Sequence, residues 1–147
     1  MEIAVLALGC FWGPEIKFSK IEGVIKTEVG YCGGNSPTTT YKEVCTGKTN
    51  HAELVNIDFD ENIVTYEKIL KIFFQIHDPT TLNSQGPDFG TQYRSEIFYL
   101  NDNQRVVAER VLRDVDDRMS GKVVTKISLL KNYCPAEEYH QKYLEKR

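Results

Sequence analysis

Cys10 stands in the stretch Gly9-Cys10-Phe11-Trp12-Gly13-Pro14-Glu15, and the types around it point to thiolate chemistry. The apolar run 3–8 reads as a strand that stops at Gly9. A helical pattern follows, and Pro14 is tolerated only in a first helical turn. The sulfur is thus expected at a strand-to-helix turn, beside free backbone N–H groups and the positive end of a helix dipole. Both lower a thiol pKa, and the thiolate is the nucleophile. Most free cysteines are buried and inert. Two large aromatics flanked by glycines, however, make a poor core segment and a good rim around a reactive sulfur.

A second candidate comes from the strand 52–59. Val55, Ile57 and Phe59 form its apolar face, and a period of two puts Glu53 on that same face. A carboxyl pointing with the core has its charged form disfavoured, so it can hold a proton and serve as a general acid. The strand pattern leaves a second reading open, in which Glu53 lies at a frayed strand start and reaches solvent or pairs with a lysine.

The elements that must hold these groups follow from periodicity. A short helix after Cys10 carries Trp12, Ile16, Phe18 and Ile21 and closes at Gly23. Alternation over 24–31 gives a half-buried strand. Residues 32–50 carry little periodicity, which is longer than a compact domain tolerates without a use. Thr65 caps a helix with Tyr66, Ile69, Leu70, Phe73, Phe74 and His77 on one stripe, ended by Asp78-Pro79. A second polar loop runs over 78–94, and two such loops suggest a site between them. A strand at 95–100, a helix at 103–119 ended by Gly121, a strand at 123–130 and a helix at 135–144 complete the chain. The order strand, helix, strand, strand, helix, strand predicts an α+β fold. Its expected form is a split βαβ (ferredoxin-like) two-layer sandwich, with a mainly antiparallel sheet and an added C-terminal helix-strand-helix.

Bulk properties narrow the function. A length of 147 residues with 41% hydrophobic and 11% aromatic content suffices for one domain with one core. The net charge of −3 argues against nucleic acid as a partner. No apolar run reaches bilayer length, and Glu2 stands where a signal peptide carries basic residues. A cytoplasmic monomer is expected. The cysteines at 10, 32, 45 and 134 include no C-x-x-C and do not pair with His51, His77 or His140 at zinc-finger spacing, so neither a metal nor a disulfide framework is expected.

Seven blocks then stand together: Gly9-Cys-Phe-Trp-Gly-Pro-Glu15, Gly30-Tyr-Cys-Gly-Gly34, Tyr41-Lys-Glu-Val-Cys-Thr-Gly47, His51-Ala-Glu53, His77-Asp-Pro-Thr80, Gln85-Gly-Pro-Asp-Phe-Gly-Thr-Gln-Tyr-Arg-Ser95 and Ala136-Glu-Glu-Tyr-His-Gln141. In these the chain resembles the A-class peptide methionine sulfoxide reductases, over almost its whole length. The resemblance implies a single catalytic domain over 1–147 that reduces the S epimer of methionine sulfoxide, free or in oxidised proteins. Cys10 would attack the sulfoxide sulfur and become a sulfenic acid, a reversible rung of thiol oxidation. Glu53 matches the family's acid, Tyr41 and Tyr93 the phenols on the sulfoxide oxygen, Asp88 a positioning carboxylate, and Phe11 and Trp12 the pocket for the ε-methyl group. It implies no prosthetic cofactor, with thioredoxin or another external thiol as reductant.

Two departures bear on regeneration. The glycine-rich C-terminal tail with resolving cysteines that many members carry is absent from the sequence, and Tyr133-Cys134-Pro135 replaces the usual Phe-Tyr pair. Cys45 matches a common cysteine with a packed role. The sulfenic acid is then expected to be reduced directly by an external thiol, or resolved by Cys134 or by Cys32, which is read as a loop position.

Two other classes compete. A Cys–His hydrolase or acyltransferase needs a histidine beside Cys10, and His51 and His77 read instead as structural hydrogen-bonders. A non-catalytic module gripping methionine-like side chains would turn nothing over.

Overall fold

Four strands, Glu2–Leu8, Val24–Cys32, Ala52–Phe59 and Ser95–Tyr99, lie side by side in one sheet and bury their apolar side chains on it. The computed structural model describes residues 2–9, 12–34, 39–46, 51–85, 88–131, 133–137 and 140–141, with backbone alone for 12, 45, 84, 88, 89 and 91. The elements are β1 (Glu2–Leu8), α1 (Trp12–Ser19), β2 (Val24–Cys32), α2 (Tyr41–Cys45), β3 (Ala52–Phe59), α3 (Tyr66–Gln75), β4 (Ser84–Gln85), β5 (Asp88–Phe89), a 3-10 turn at Thr91–Tyr93, β6 (Ser95–Tyr99), α4 (Asp102–Arg118), β7 (Lys126–Leu129) and β8 (Cys134–Pro135). Six strands lie in the order β7-β6-β1-β3-β2-β8, and β4 pairs with β5 in a separate hairpin. Among the described residues only β6 and β7 run parallel, joined through α4; such a pair requires a long crossover. The architecture is mixed α+β with four α-helices among the described residues.

The helices feed one face. Phe18 of α1, Ile69 and Phe73 of α3 and Val111 of α4 share a buried cluster with Leu6, Val29, Ile57 and Ile97 of the sheet. On the other face Val5, Ala7, Leu54 and Phe98 are covered by Leu130 and Tyr133. A strand buried on both sides reads as an unbroken apolar run, as β1 does. The Thr65 cap falls where expected, its hydroxyl accepting the Lys68 N–H at 3.1 Å, and Asn101 caps α4 by accepting the Gln104 N–H at 2.9 Å. Among the described residues no helix is long and apolar enough to cross a membrane.

Several expectations need correction. The stretch 32–50 contains α2, whose N-cap Thr40 accepts the Glu43 N–H at 3.2 Å. The strand expected over 123–130 pairs only at Lys126–Leu129. Upstream, the N–H groups of Val123 and Val124 donate to Asp116 and to the Pro79 carbonyl, so they cannot join the ladder. The helix expected from Pro135 does not begin there: Cys134–Pro135 is an edge strand on β2, and the Ala136 N–H donates to the Val29 carbonyl at 2.9 Å. Proline fits an edge strand as well as a first helical turn. Residues 138, 139 and 142–147 lie outside the described residues. Ile25, expected on the inner face of β2, is 60% exposed because the register shifts between Val24 and Lys26; a bulge turns the side chains over.

Candidate active site

β1 ends at Leu8, Gly9 turns at φ +101°, and α1 opens at Trp12, so the strand and helix flanking residues 10 and 11 are the expected ones. A side chain at Gly9 would stand 2.8 Å from Gln85, and glycine alone combines that φ with such close approach. Cys10 and Phe11 lie outside the described residues, as do the side chains of Trp12 and Asp88. The Asp88 backbone pairs with Gln85 across the β4–β5 hairpin, which brings that loop beside Gly9. Gln85 is itself fixed, accepting the Asp78 N–H at 3.1 Å and donating to the Asp78 carbonyl at 2.5 Å.

The sheet register assembles the rest. Ser95 of β6 stands opposite Leu8. Leu6 stands opposite Val55, and two further residues along this antiparallel register bring Leu8 level with Glu53. Glu53 faces Tyr31, and Tyr31 faces Cys134. One row thus crosses β6, β1, β3, β2 and β8 at the end of the sheet where β1 leads to Cys10. Directly opposed antiparallel residues share a face, so Glu53 and Tyr31 both point to the helix side. Glu53 is completely buried, which excludes the reading of a frayed, solvated strand start. The 3-10 turn ending in Tyr93 packs against β3 and stands two residues before Ser95, so Tyr93 lies by the exit of β1.

Tyr41 is reached through the C-terminal segment. The Tyr31 hydroxyl donates to one oxygen of Glu137 at 3.0 Å, and the Tyr41 N–H donates to the other at 3.0 Å. The Tyr41 ring rests on the buried ring of His140, with centroids 4.3 Å apart. Gln141 clasps the β2 edge, accepting the Val29 N–H and donating to the Val29 carbonyl, each at 2.9 Å. Glu53, Tyr31, Glu137 and Tyr41 therefore form a continuous chain of neighbours.

The cysteines separate clearly. Cys32 closes strand β2 rather than lying in a loop, and it is fully buried. Burial first, then the Glu96 carboxylate, pushes its thiol far up, against the opposing pull of Arg94. It belongs to the sheet face away from the helices, with Val5 and Phe98. Cys134 is half-buried, its sulfur 3.6 Å from the Thr39 carbonyl at the entrance to α2. The Cys45 side chain lies outside the described residues.

The histidines are structural. His77 Nδ1 bonds the Phe73 carbonyl at 2.5 Å and Nε2 bonds Ser95 Oγ at 2.8 Å. Burial pushes His77 down to about 4, against the raising effects of the Phe73 bond and of Asp78. The buried His51 ring lies under Gly34. Among the described residues no group of three or more His, Cys, Asp or Glu is placed to hold a metal ion.

Sequence reasoning assigned no role to Tyr31, Glu137 or Gln141. Tyr31 was legible only as a core-facing strand residue, and Glu137 as a helix-start carboxylate. Their partners lie about a hundred residues away, a relation that local periodicity does not encode.

The profile of the family described as "Peptide methionine sulfoxide reductase" matches residues 2–147. A protein of Pelagibacter ubique named peptide methionine sulfoxide reductase MsrA is 78% identical over the full length of both chains. One of the same name from Saccharolobus solfataricus is 50% identical over 99% of this chain and 82% of its own. Among solved structures, Mxr1 of Saccharomyces cerevisiae in reduced form superposes with a TM-score of 0.94 at 39% identity, covering 99% of this chain and 85% of that one. Methionine sulfoxide reductase A of Corynebacterium diphtheriae gives a TM-score of 0.88 at 37% identity, covering 99% and 74%.

Proposed function

The chain belongs to the peptide methionine sulfoxide reductase family and is a reductase of the A type, and from that premise we propose how its residues divide the reaction. Cys10, at the turn between β1 and α1, attacks the sulfoxide sulfur as a thiolate. Glu53 gives its proton to the sulfoxide oxygen as the S–S bond forms, because an unprotonated oxygen is a poor leaving group. The S–O bond then breaks, and the oxygen is taken up with its proton at the Cys10 sulfur. The S–S bond breaks with its electron pair going to the departing methionine, which leaves Cys10 as sulfenic acid and Glu53 as carboxylate. Two thiols of an external reductant return it to the thiol, releasing water and a disulfide. Thioredoxin is the expected donor, with no prosthetic group, and the site of action is the cytoplasm.

The observation that carries this reading is Glu53, a carboxyl with no solvent exposure on the row that ends at the exit of β1. Burial disfavours the anion, so the side chain keeps a proton to give. Tyr41 and Tyr93 hydrogen-bond the same oxygen, Asp88 positions the polar end of the substrate, and Phe11 with Trp12 hold the ε-methyl group. The S epimer alone satisfies these places while offering its sulfur to Cys10. Donors left unpaired by the other epimer make the discrimination steep. Cys134 is the better candidate for a resolving thiol than Cys32, being half-buried rather than sealed. The order β6-β1-β3-β2, with α1 and α3 as the intervening helices, supports a split βαβ frame extended by β7 and β8. The single sheet that joins these elements supports reading residues 1–147 as one catalytic domain, which we propose acts as a monomer.

Single-turnover release of methionine by Glu53→Gln tests the assignment. The expected outcome is a rate lower by about 10²- to 10⁴-fold, typical of a lost general acid. A rate equal to the unsubstituted enzyme contradicts it.

A further inference from the structure

We propose that Glu137 is a positioning residue for the reduction, setting Tyr41 on the sulfoxide oxygen from the far end of the chain. The proposal rests on the reading of Tyr41 as an oxygen donor. Glu137 bonds both the sheet row carrying Glu53 and the start of α2 carrying Tyr41. Its two oxygens are divided between them, one receiving the Tyr31 O–H and the other the Tyr41 N–H, each at 3.0 Å. Tyr31 is fully buried and faces Glu53 across the ladder, so the first of these bonds has a rigid anchor.

The need for such a tie follows from α2 itself. It has five residues, too few for a helix that stands on its own hydrogen bonds. Its capping threonine orders the first turn locally but does not fix that turn against the sheet. Charge-assisted hydrogen bonds that a backbone N–H donates to a carboxylate are the stronger kind, and first-turn N–H groups of a helix look to acceptors outside it, as the Tyr41 N–H does. Two more residues of the same segment hold the clasp in place. His140 packs its ring on Tyr41, and Gln141 fastens the segment to Val29 by paired backbone bonds. The edge strand β8 and the Ala136 N–H to Val29 bond complete the attachment. The position of Tyr41 is thus set by residues 134–137, 140 and 141, acting through Glu137.

The test is a double-mutant cycle on single-turnover methionine release, with Tyr41→Phe, Glu137→Ala and the pair. Because Glu137 acts through Tyr41, Glu137→Ala is expected to lower the rate about tenfold, the equivalent of one well-placed hydrogen bond. The pair should then be no slower than Tyr41→Phe alone. A further tenfold loss in the pair is the multiplicative result of a residue that merely supports the fold, and it overturns the proposal. Glu137→Gln serves as the conservative rescue. Its carbonyl still accepts the Tyr41 N–H and its amide can donate to the Tyr31 oxygen, so most of the rate should return. A Gln variant as slow as Ala, with an unchanged melting temperature, also overturns it. Should Tyr41→Phe keep the full rate, the reading of Tyr41 fails and the positioning role falls with it. That result is distinct from a slow Tyr41→Phe combined with multiplicative loss.

Discussion

At the scale of the residue, the site rests on side chains forced into contact by burial. Gly34 illustrates how little tolerance remains: a Cβ there would stand 2.0 Å from Nδ1 of the buried His51 ring. Gly34→Ala is therefore expected to destabilise the fold by about 1–3 kcal/mol, as overpacking does, and a lowered urea midpoint checks it. Of the cysteines, Cys32 is sealed with its thiol pushed up. Cys32→Ala should leave thioredoxin-dependent turnover within about twofold, since thiolate character and access govern reactivity. Loss of turnover with the fold retained would return Cys32 to the resolving role. The orientation of Glu53 was legible in the sequence because a period of two is a geometric rule. The part of Glu137 was not, since its partners are set by tertiary register.

Elements show the same division between local and distant causes. The capped helix α3 was readable from Thr65 and its apolar stripe. A Thr-x-x-Glu box at Thr40–Glu43, a recognised start signal, could have revealed α2. No internal pattern announces β8; pairing with β2 makes it a strand. The C-terminal end of α3 is tied to β6 by His77, whose ring bonds Ser95, which bonds Thr125 Oγ1 at 2.7 Å. Folded His77 titrates at about 4 against an ordinary value of 6.5. Between those two values the unfolded chain takes up a proton that the folded chain refuses. Stability therefore falls as pH drops through that window, by up to about 3 kcal/mol, and this group adds no slope above it. Urea midpoints at pH 7 and pH 4.5 should differ less in His77→Gln than in the unsubstituted protein; equal differences contradict the assignment.

For the molecule as a whole, the fold sets Gln85 beside Gly9 at the exit of β1 and aligns Ser95, Leu8, Glu53, Tyr31 and Cys134 across that end of the sheet. The strands β1, β2, β3 and β6 and the helices α1 and α3 were legible because each carries its own apolar pattern, whereas α2 and the short β4–β5 hairpin before residue 100 were read as loop. The parallel β7 and the closing segment were less legible, because their partners come from across the sheet. The central claim is that Cys10 itself takes the sulfoxide oxygen, and it is tested without any reductant. Enzyme mixed with excess methionine (S)-sulfoxide should release about one equivalent of methionine, two at most if two further thiols pair in a disulfide and free Cys10 again, and leave Cys10 trappable as sulfenic acid or in a disulfide. Methionine (R)-sulfoxide, or Cys10→Ser with either epimer, should release none. Undiminished release by Cys10→Ser would contradict the account.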